Sequence, residues 1–348
     1  MPYVSIQTML TGLKKTKRFA FVLIISIILI ITSSALSCSS KGNSNNLEPI
    51  TVAYTPYIET GLYWIAENQN YFSKNGLNVT FSEYSSITPA VNDLLSGKVD
   101  IVGNMSEFPV VSGAFQNSDI SVISCVATSE NICLVGRKDR GVSQISGLKG
   151  KKVGTIQGTI TDFYLSTVLT LNGMTSQDIT TVNVKSAAGA VSAIVNGDVD
   201  AVIVGQPYAD SAETQLGTDA FLQSAQNYQP LNILAVSTKE WISSNSDTVN
   251  KFLKASVQAE EFLTNNPDKA EAIVQQQLGL DDTTMKSSWN QVQFALSLNE
   301  SLVAAMEAEA QWMIANNLTT STQIPNFLDY VEENNLKAVK PESVNVIR

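Results

Sequence analysis

Histidine does not occur anywhere in this 348-residue chain. Its absence removes Ser-His-Asp and Cys-His nucleophilic sites, HExxH metal sites and most structural zinc sites. Cysteine is nearly as scarce, at three residues. Basic residues are outnumbered, 22 against 32 acidic ones, for a net charge of −10. Such a surface argues against a nucleic-acid partner and against electrostatic docking on anionic lipid. Beyond the N-terminal region no apolar run approaches membrane-spanning length, so the body is expected to be soluble, with no transmembrane link to a cytoplasmic domain.

The N-terminal region is of a different kind. Lys14, Lys15, Lys17 and Arg18 precede an apolar stretch from Phe19 to Ile31, then small residues up to Ser37 and Cys38. A basic segment, a short apolar segment and small residues describe an export signal, residues 1–37, rather than a globular element. Cys38 after Ser37 resembles the lipobox of lipoproteins, although Leu36 lies one position nearer the cysteine than usual. Lipidation at Cys38 would anchor the chain to the outer face of the cell membrane, with residues 38–48 as a flexible tether. Without the leader, 18 basic residues face 32 acidic ones, a net charge of −14.

A pattern of thirteen residues then occurs twice, 100 positions apart: AVNDLLSGKVDIV at 90–102 and AVSAIVNGDVDAV at 190–202. In each copy apolar residues recur at helical spacing, a glycine (Gly97, Gly197) suits a helix C-terminus, and a β-branched run follows. Helix, tight turn and parallel strand make half of a βαβ unit. Two such units predict two similar α/β lobes: 49–134 for the first part of lobe 1, 135–232 for lobe 2, and 233–348 for a return to lobe 1 with C-terminal helices. Helices are expected over 247–263, 267–278, 284–298 and 301–316. Two crossings between the lobes would make a hinge, and a hinge makes a clamp.

Cys125 and Cys133 lie on successive β-like runs around a polar TSEN turn. They admit two readings, a cross-strand disulfide in an exported protein or two buried thiols.

Several segments, in order, carry a resemblance. TVAYTPY, GLYWIAENQNYFSKNGLNVTF, AVNDLLSGKVDIV, LVGRKDRGVSQISGLKGKKVGTIQGT, AIVNGDVDAVIVGQPY, NNPDKAEAIV and PNFLDYVEENNL together resemble the solute-binding proteins of nitrate, sulfonate, taurine and thiamine-precursor ABC importers. The resemblance implies a type II periplasmic-binding-protein fold, two-lobed with a two-crossover hinge. It also implies an extracytoplasmic monomer that captures a small solute by closure and hands it to a permease driven by a separate ATPase, without catalysis, cofactor or metal. A signalling receptor of the same build is an alternative, as is an aminopyrimidine-binding protein. The fungal pyrimidine-precursor synthases, also similar, use an active-site histidine and a cysteine-rich iron motif, and this chain has neither.

Ligands of α/β folds sit at the carboxyl ends of the strands, so four strand-to-helix segments are the candidate site. The first carries Tyr54, Tyr57 and Glu59; the second, Gly103–Glu107, carries Asn104, Met105 and Ser106. The third, with Gly158, Thr159, Ile160 and Thr161, opens a helix whose free N–H groups favour an anion. Thr159 with Asp162 could instead form a variant capping box. The fourth carries Gln206 and Tyr208. Asp100 and Asp200 repeat, but at strand starts, and are read as scaffold. None of the four segments contains Lys or Arg, and Glu59 and Glu107 would favour a ligand bearing an amine or a protonated ring, such as taurine or an aminopyrimidine.

Overall fold

The alternating and β-branched segments form strands whose helices pack on their faces. In the computed structural model the described residues are 47–226 and 229–347; the leader, Cys38 and most of the tether lie outside them. The first half runs β1 (Glu48–Tyr54), α1 (Gly61–Asn68), α2 (Tyr71–Lys74), β2 (Leu77–Glu83), α3 (Ile87–Leu95), β3 (Ile101–Ser106), α4 (Glu107–Ala114) and β4 (Ile120–Ser129). Next come β5 (Ile132–Arg137), β6 (Lys152–Thr155), α5 (Ile160–Leu171), β7 (Thr180–Asn183), α6 (Ala187–Asn196), β8 (Ala201–Gly205), α7 (Tyr208–Leu216) and β9 (Ala220–Ser224). The chain ends with β10 (Leu231–Thr238), α8 (Lys239–Ser244), α9 (Ser246–Asn265), α10 (Pro267–Leu278), α11 (Asp282–Trp289), β11 (Val292–Ser297), α12 (Glu300–Ala315) and α13 (Asn334–Val339).

Two sheets result, in the orders β11-β4-β10-β3-β1-β2 and β7-β6-β8-β5-β9. In the first, β1 pairs in parallel with β2 and β3; in the second, β6 pairs in parallel with β7 and β8. Each sheet then receives one antiparallel strand directly from the other. β5 enters beside β8, and β10 enters beside β3. The chain therefore crosses at Glu130-Asn131 and again between Ser224 and Leu231. A boundary at 134/135 falls inside β5, three residues past the crossing.

The two repeats occupy equivalent places, as α3–β3 and α6–β8. Asp100 accepts from Thr51 N at 2.7 Å and Asp200 from Lys152 N at 2.9 Å, each fastened to the neighbouring parallel strand, at the middle of β1 and the start of β6. Their own amides return the bond, to Thr51 O at 2.9 Å and Lys152 O at 2.8 Å. The duplicated aspartates are a duplicated clasp.

Three sequence expectations change. The helix expected over 284–298 stops at Trp289, and 292–297 forms β11, antiparallel to β4. Val292 and Leu296 are buried while Gln293 and Ala295 face water, which is the period of a strand at a sheet edge. Cys125 and Cys133 are free thiols. The TSEN segment is not a hairpin turn: Cys125 lies opposite Leu234 in one sheet and Cys133 between Val204 and Ser224 in the other. Burial pushes their thiols up, to about 12 and about 11, so both behave as small inert hydrophobes. Finally, Glu48 belongs to β1 rather than to the tether, with its carboxylate on Lys251 at 2.9 Å.

The helical return packs onto the first sheet. Phe252 of α9 stacks on Phe72 of α2 at 5.7 Å and meets Tyr63 of α1 at 5.5 Å. Burying each such ring stabilises the fold by about 1.5–3 kcal/mol. Tyr63 also donates to Gly103 O at 2.6 Å, an approach that only glycine permits, because a Cβ there would lie 2.7 Å from the tyrosine ring.

Candidate functional site

The carboxyl ends of β1 and β3 in one sheet meet those of β6 and β8 in the other across two adjoining hollows of about 240 and 260 Å³. Tyr57, Glu59, Asn131, Gln206 and Tyr208 wall both.

From the first sheet, residues 55–60 leave β1 as a braced loop. Thr60 Oγ1 donates to Tyr57 O at 2.6 Å and Trp64 Nε1 donates to Thr60 Oγ1 at 2.8 Å. Asn104 fastens the loop to β3: it accepts from Thr55 N at 2.9 Å and donates to Thr55 O at 2.9 Å and Thr55 Oγ1 at 3.0 Å. Both of its amide donors are thereby engaged, so Asn104 lines the hollow as a brace. Ser106 also lines it, and its hydroxyl makes no cap bond to α4. The braced loop leaves Tyr57 at the mouth, 40% exposed, and turns Glu59 inward, 5% exposed.

From the second sheet come Ile160, Thr161, Gly205, Gln206 and Tyr208. Thr159 is the N-cap of α5 without a side-chain cap bond; its hydroxyl donates to Ile156 O at 2.6 Å instead. Asp162 accepts from Gly158 N at 3.0 Å, one residue before the position a capping box requires. The first-turn amides of Ile160 and Thr161 are thus not taken by Thr159. Gln206 is engaged on α7, accepting from Asp210 N at 3.0 Å and donating to Asp210 Oδ1 at 2.6 Å.

The structure does not bring every sequence candidate to the hollow. Tyr54 packs edge-on to Trp64 at 4.9 Å and donates to Glu83 at 3.1 Å. Met105 is fully buried within β3, because 103–106 is strand rather than loop. Gly158 and Thr159 lie just behind Ile160 and Thr161. Glu107 does not line the hollow either. It is completely buried and accepts from Asn232 N at 3.1 Å and Asn232 Nδ2 at 3.2 Å.

Asn131, which sequence reasoning missed, sits in the first crossover between the two sheets. Its Nδ2 donates to Glu59 Oε1 at 2.8 Å and its carbonyl accepts from Gln206 N at 2.9 Å. Gln226, in the second crossover, braces the first: it accepts from Ile132 N at 2.7 Å and donates to Ser129 O at 2.9 Å. Leu280, Thr284, Ser288 and Val292 from the C-terminal return close one end.

The electrostatics are one-sided. Among the described residues Glu59 is the only Asp, Glu, Lys or Arg along either hollow. Burial, which disfavours the charged form, raises its carboxyl above the ordinary value. Tyr57 is likewise raised, first by burial and then by the neighbouring Tyr208. The chain's arrangement can hold a small solute between two tyrosines, with a carboxylate and hydroxyl and amide donors around it. Among the described residues no group of His, Cys, Asp and Glu is placed to hold a metal ion, and no helix is long and apolar enough to cross a membrane.

Two sheets exchanging one strand each, with a hollow between their carboxyl ends, define the type II periplasmic-binding-protein fold. Residues 58–270 match the family described as NMT1/THI5 like, and the chain belongs to that family. A Bacillus subtilis protein named for binding aliphatic sulfonates is 27% identical over 235 residues, 66% of each chain. The 4-amino-5-hydroxymethyl-2-methylpyrimidine phosphate synthase of Aspergillus parasiticus is 25% identical over 230 residues, 62% of this chain and 66% of that one. Among solved structures, the periplasmic aliphatic sulphonate binding protein of Escherichia coli superposes with a TM-score of 0.69 at 16% identity, covering 81% of this chain and 97% of that one. The alkanesulfonate-binding protein of Xanthomonas axonopodis pv. citri, bound to MOPS, gives 0.67 at 18% identity, with 82% and 98% covered.

Proposed function

We propose that this protein is the extracytoplasmic solute-binding component of an ABC importer, tethered to the membrane by lipid on Cys38. It captures one small solute between its two sheets and hands it to a permease powered by a separate ATPase. The observation that carries this reading is the hollow itself. Its walls come from strand ends of both sheets, and among the described residues the chain passes between those sheets only at the two crossovers beside it. A solute seated there touches both sides at once, so its binding energy favours the closed arrangement over the open one.

Relatives named for sulfonates and for pyrimidine synthesis mark the range of solutes to try: sulfonates, taurine, nitrate and aminopyrimidines. Catalysis is not part of the proposal; the chain has no histidine to serve as a general base. The test is a thermal-shift screen over that range. A binder at a hundredfold excess over its Kd stabilises the folded chain by about 2.7 kcal/mol. A panel that produces no shift contradicts the proposal.

A further inference from the structure

The names of the relatives point to sulfonates, but the walls of this hollow are unsuited to an anion. A sulfonate or nitrate would enter a site whose single Asp or Glu side chain is Glu59 and whose described walls offer no cation. Glu59 is almost wholly enclosed at 5% exposure, and among the described residues it is in no ion pair with Lys or Arg. A buried carboxylate without a counter-charge is costly, and the cost falls when a cation arrives to pair with it.

Its position is also preset. Asn131 Nδ2 holds Oε1 at 2.8 Å, and Asn131 is itself held to the opposite sheet through Gln206 N at 2.9 Å. The carboxylate is therefore aimed before any solute enters, and its orientation depends on both sides of the cleft. Tyr57, which follows β1, and Tyr208, which follows β8, line both hollows with it. Aromatic faces beside a carboxylate attract a cation and gain nothing from an anion.

Resting on the solute-binding reading above, we infer that Glu59 sets specificity, and that the solute carries a protonated nitrogen which pairs with the Glu59 carboxylate between Tyr57 and Tyr208. Such a solute supplies the counter-charge the site lacks. It also explains how a cleft whose described walls hold no basic residue can bind a polar molecule: any acidic end of the solute would lie on the amides of Ile160 and Thr161, which line the same hollow as Glu59.

Matched pairs of probes isolate the nitrogen. Taurine and ethanesulfonate differ only in the amine, and 4-aminopyrimidine and 4-methylpyrimidine differ chiefly in the amino group and its effect on ring basicity. Titration calorimetry on the full chain should show the nitrogen-bearing member of at least one pair binding thirtyfold or more tightly than its partner. Glu59→Gln should cut that preference to threefold or less, with the fold retained by circular dichroism. The wild-type comparison needs no variant, so a Glu59→Gln chain that fails to fold leaves the inference testable. Equal binding within both pairs, or a preference that survives Glu59→Gln, overturns it. Binding of ethanesulfonate or nitrate alone also overturns it while leaving the solute-binding reading intact; binding of nothing in the panel counts against both.

Discussion

Asn131 donates through Nδ2 to Glu59 Oε1 at 2.8 Å while its carbonyl accepts from Gln206 N at 2.9 Å. One residue of a two-residue crossover thus ties the first loop of one sheet to the fourth loop of the other. Because the crossover is also a chain connection between the sheets, the aim of the Glu59 carboxylate is linked to the relative placement of the two sides.

Replacing that donor tests the link. Asn131→Ala removes a hydrogen bond to a buried carboxylate, a loss of about 1.5–3 kcal/mol, and should weaken solute binding at least tenfold. Asn131→Asp places a second carboxylate beside Glu59 and should weaken it further, with binding recovering as the pH is lowered and one of the pair is protonated. Calorimetry at pH 5 and pH 8 reads both effects; unchanged affinity in Asn131→Asp at pH 8 would rule out the coupling.

A pair of carboxyls lies in the core, away from the lining of the hollow. Glu107 and Glu309 are both completely buried, and burial raises Glu107 to about 7. Glu309, next to Glu107, is raised well above the ordinary value, by burial first and by Glu107's charge second. Neither oxygen of Glu309 has a hydrogen-bond partner among the described residues, so burial beside Glu107 favours its protonated, uncharged form. A carboxyl whose folded-state pKa lies above its unfolded value holds its proton longer in the folded state. Stability is then greatest below about pH 4.5 and falls as pH rises through the raised folded-state values. Glu309→Gln makes the uncharged form permanent. Urea midpoints at pH 5 and pH 8 should show the wild type losing more stability than Glu309→Gln, and an equal loss in the two would contradict the assignment.

The duplicated aspartates should separate stability from binding. Asp100→Ala and Asp200→Ala each strip the acceptor from one strand amide, Thr51 N or Lys152 N. Each should cost about 1–3 kcal/mol in urea unfolding with solute affinity changed by less than twofold. A tenfold affinity loss without destabilisation would move the pair from scaffold to site.

Cys38 carries the membrane attachment in the proposed function. Cys38→Ser should abolish incorporation of a radiolabelled fatty acid in the native host and release the chain from the membrane fraction. Label retained in the variant would place the lipid elsewhere.

The halves of the fold that the sequence repeats were also the halves it made legible. Local helix–glycine–strand order set α3–β3 and α6–β8, and the spacing of Asp100 and Asp200 identified strand starts. Whether β4 turns back on itself or crosses to another sheet depends on distant partners, β10 and β8, and four polar residues at 128–131 suit either. The false hairpin turn, the two open readings of Cys125 and Cys133, and the missed Asn131 share that one cause. β11 was legible in the alternation of Val292, Phe294 and Leu296, but the helices on both sides masked it. In the site, Tyr57, Glu59 and Tyr208 followed from strand-end geometry. Tyr54 and Met105 did not reach the hollow, because the strands run further than the β-branched residues alone indicate.

The central claim is that a solute seated between the two sheets draws them together, and the repeat supplies the positions to measure it. Thr88 and Ala188 are exposed at equivalent places on α3 and α6, next to Ile87 and Ala187 at the rim of the hollow. Cys125 and Cys133 are buried and should not compete for label. Dyes on Thr88→Cys and Ala188→Cys should report energy transfer that rises on addition of the solute found in the screen, saturates with the calorimetric Kd, and reverses on dilution. Saturated binding with unchanged transfer would contradict the account.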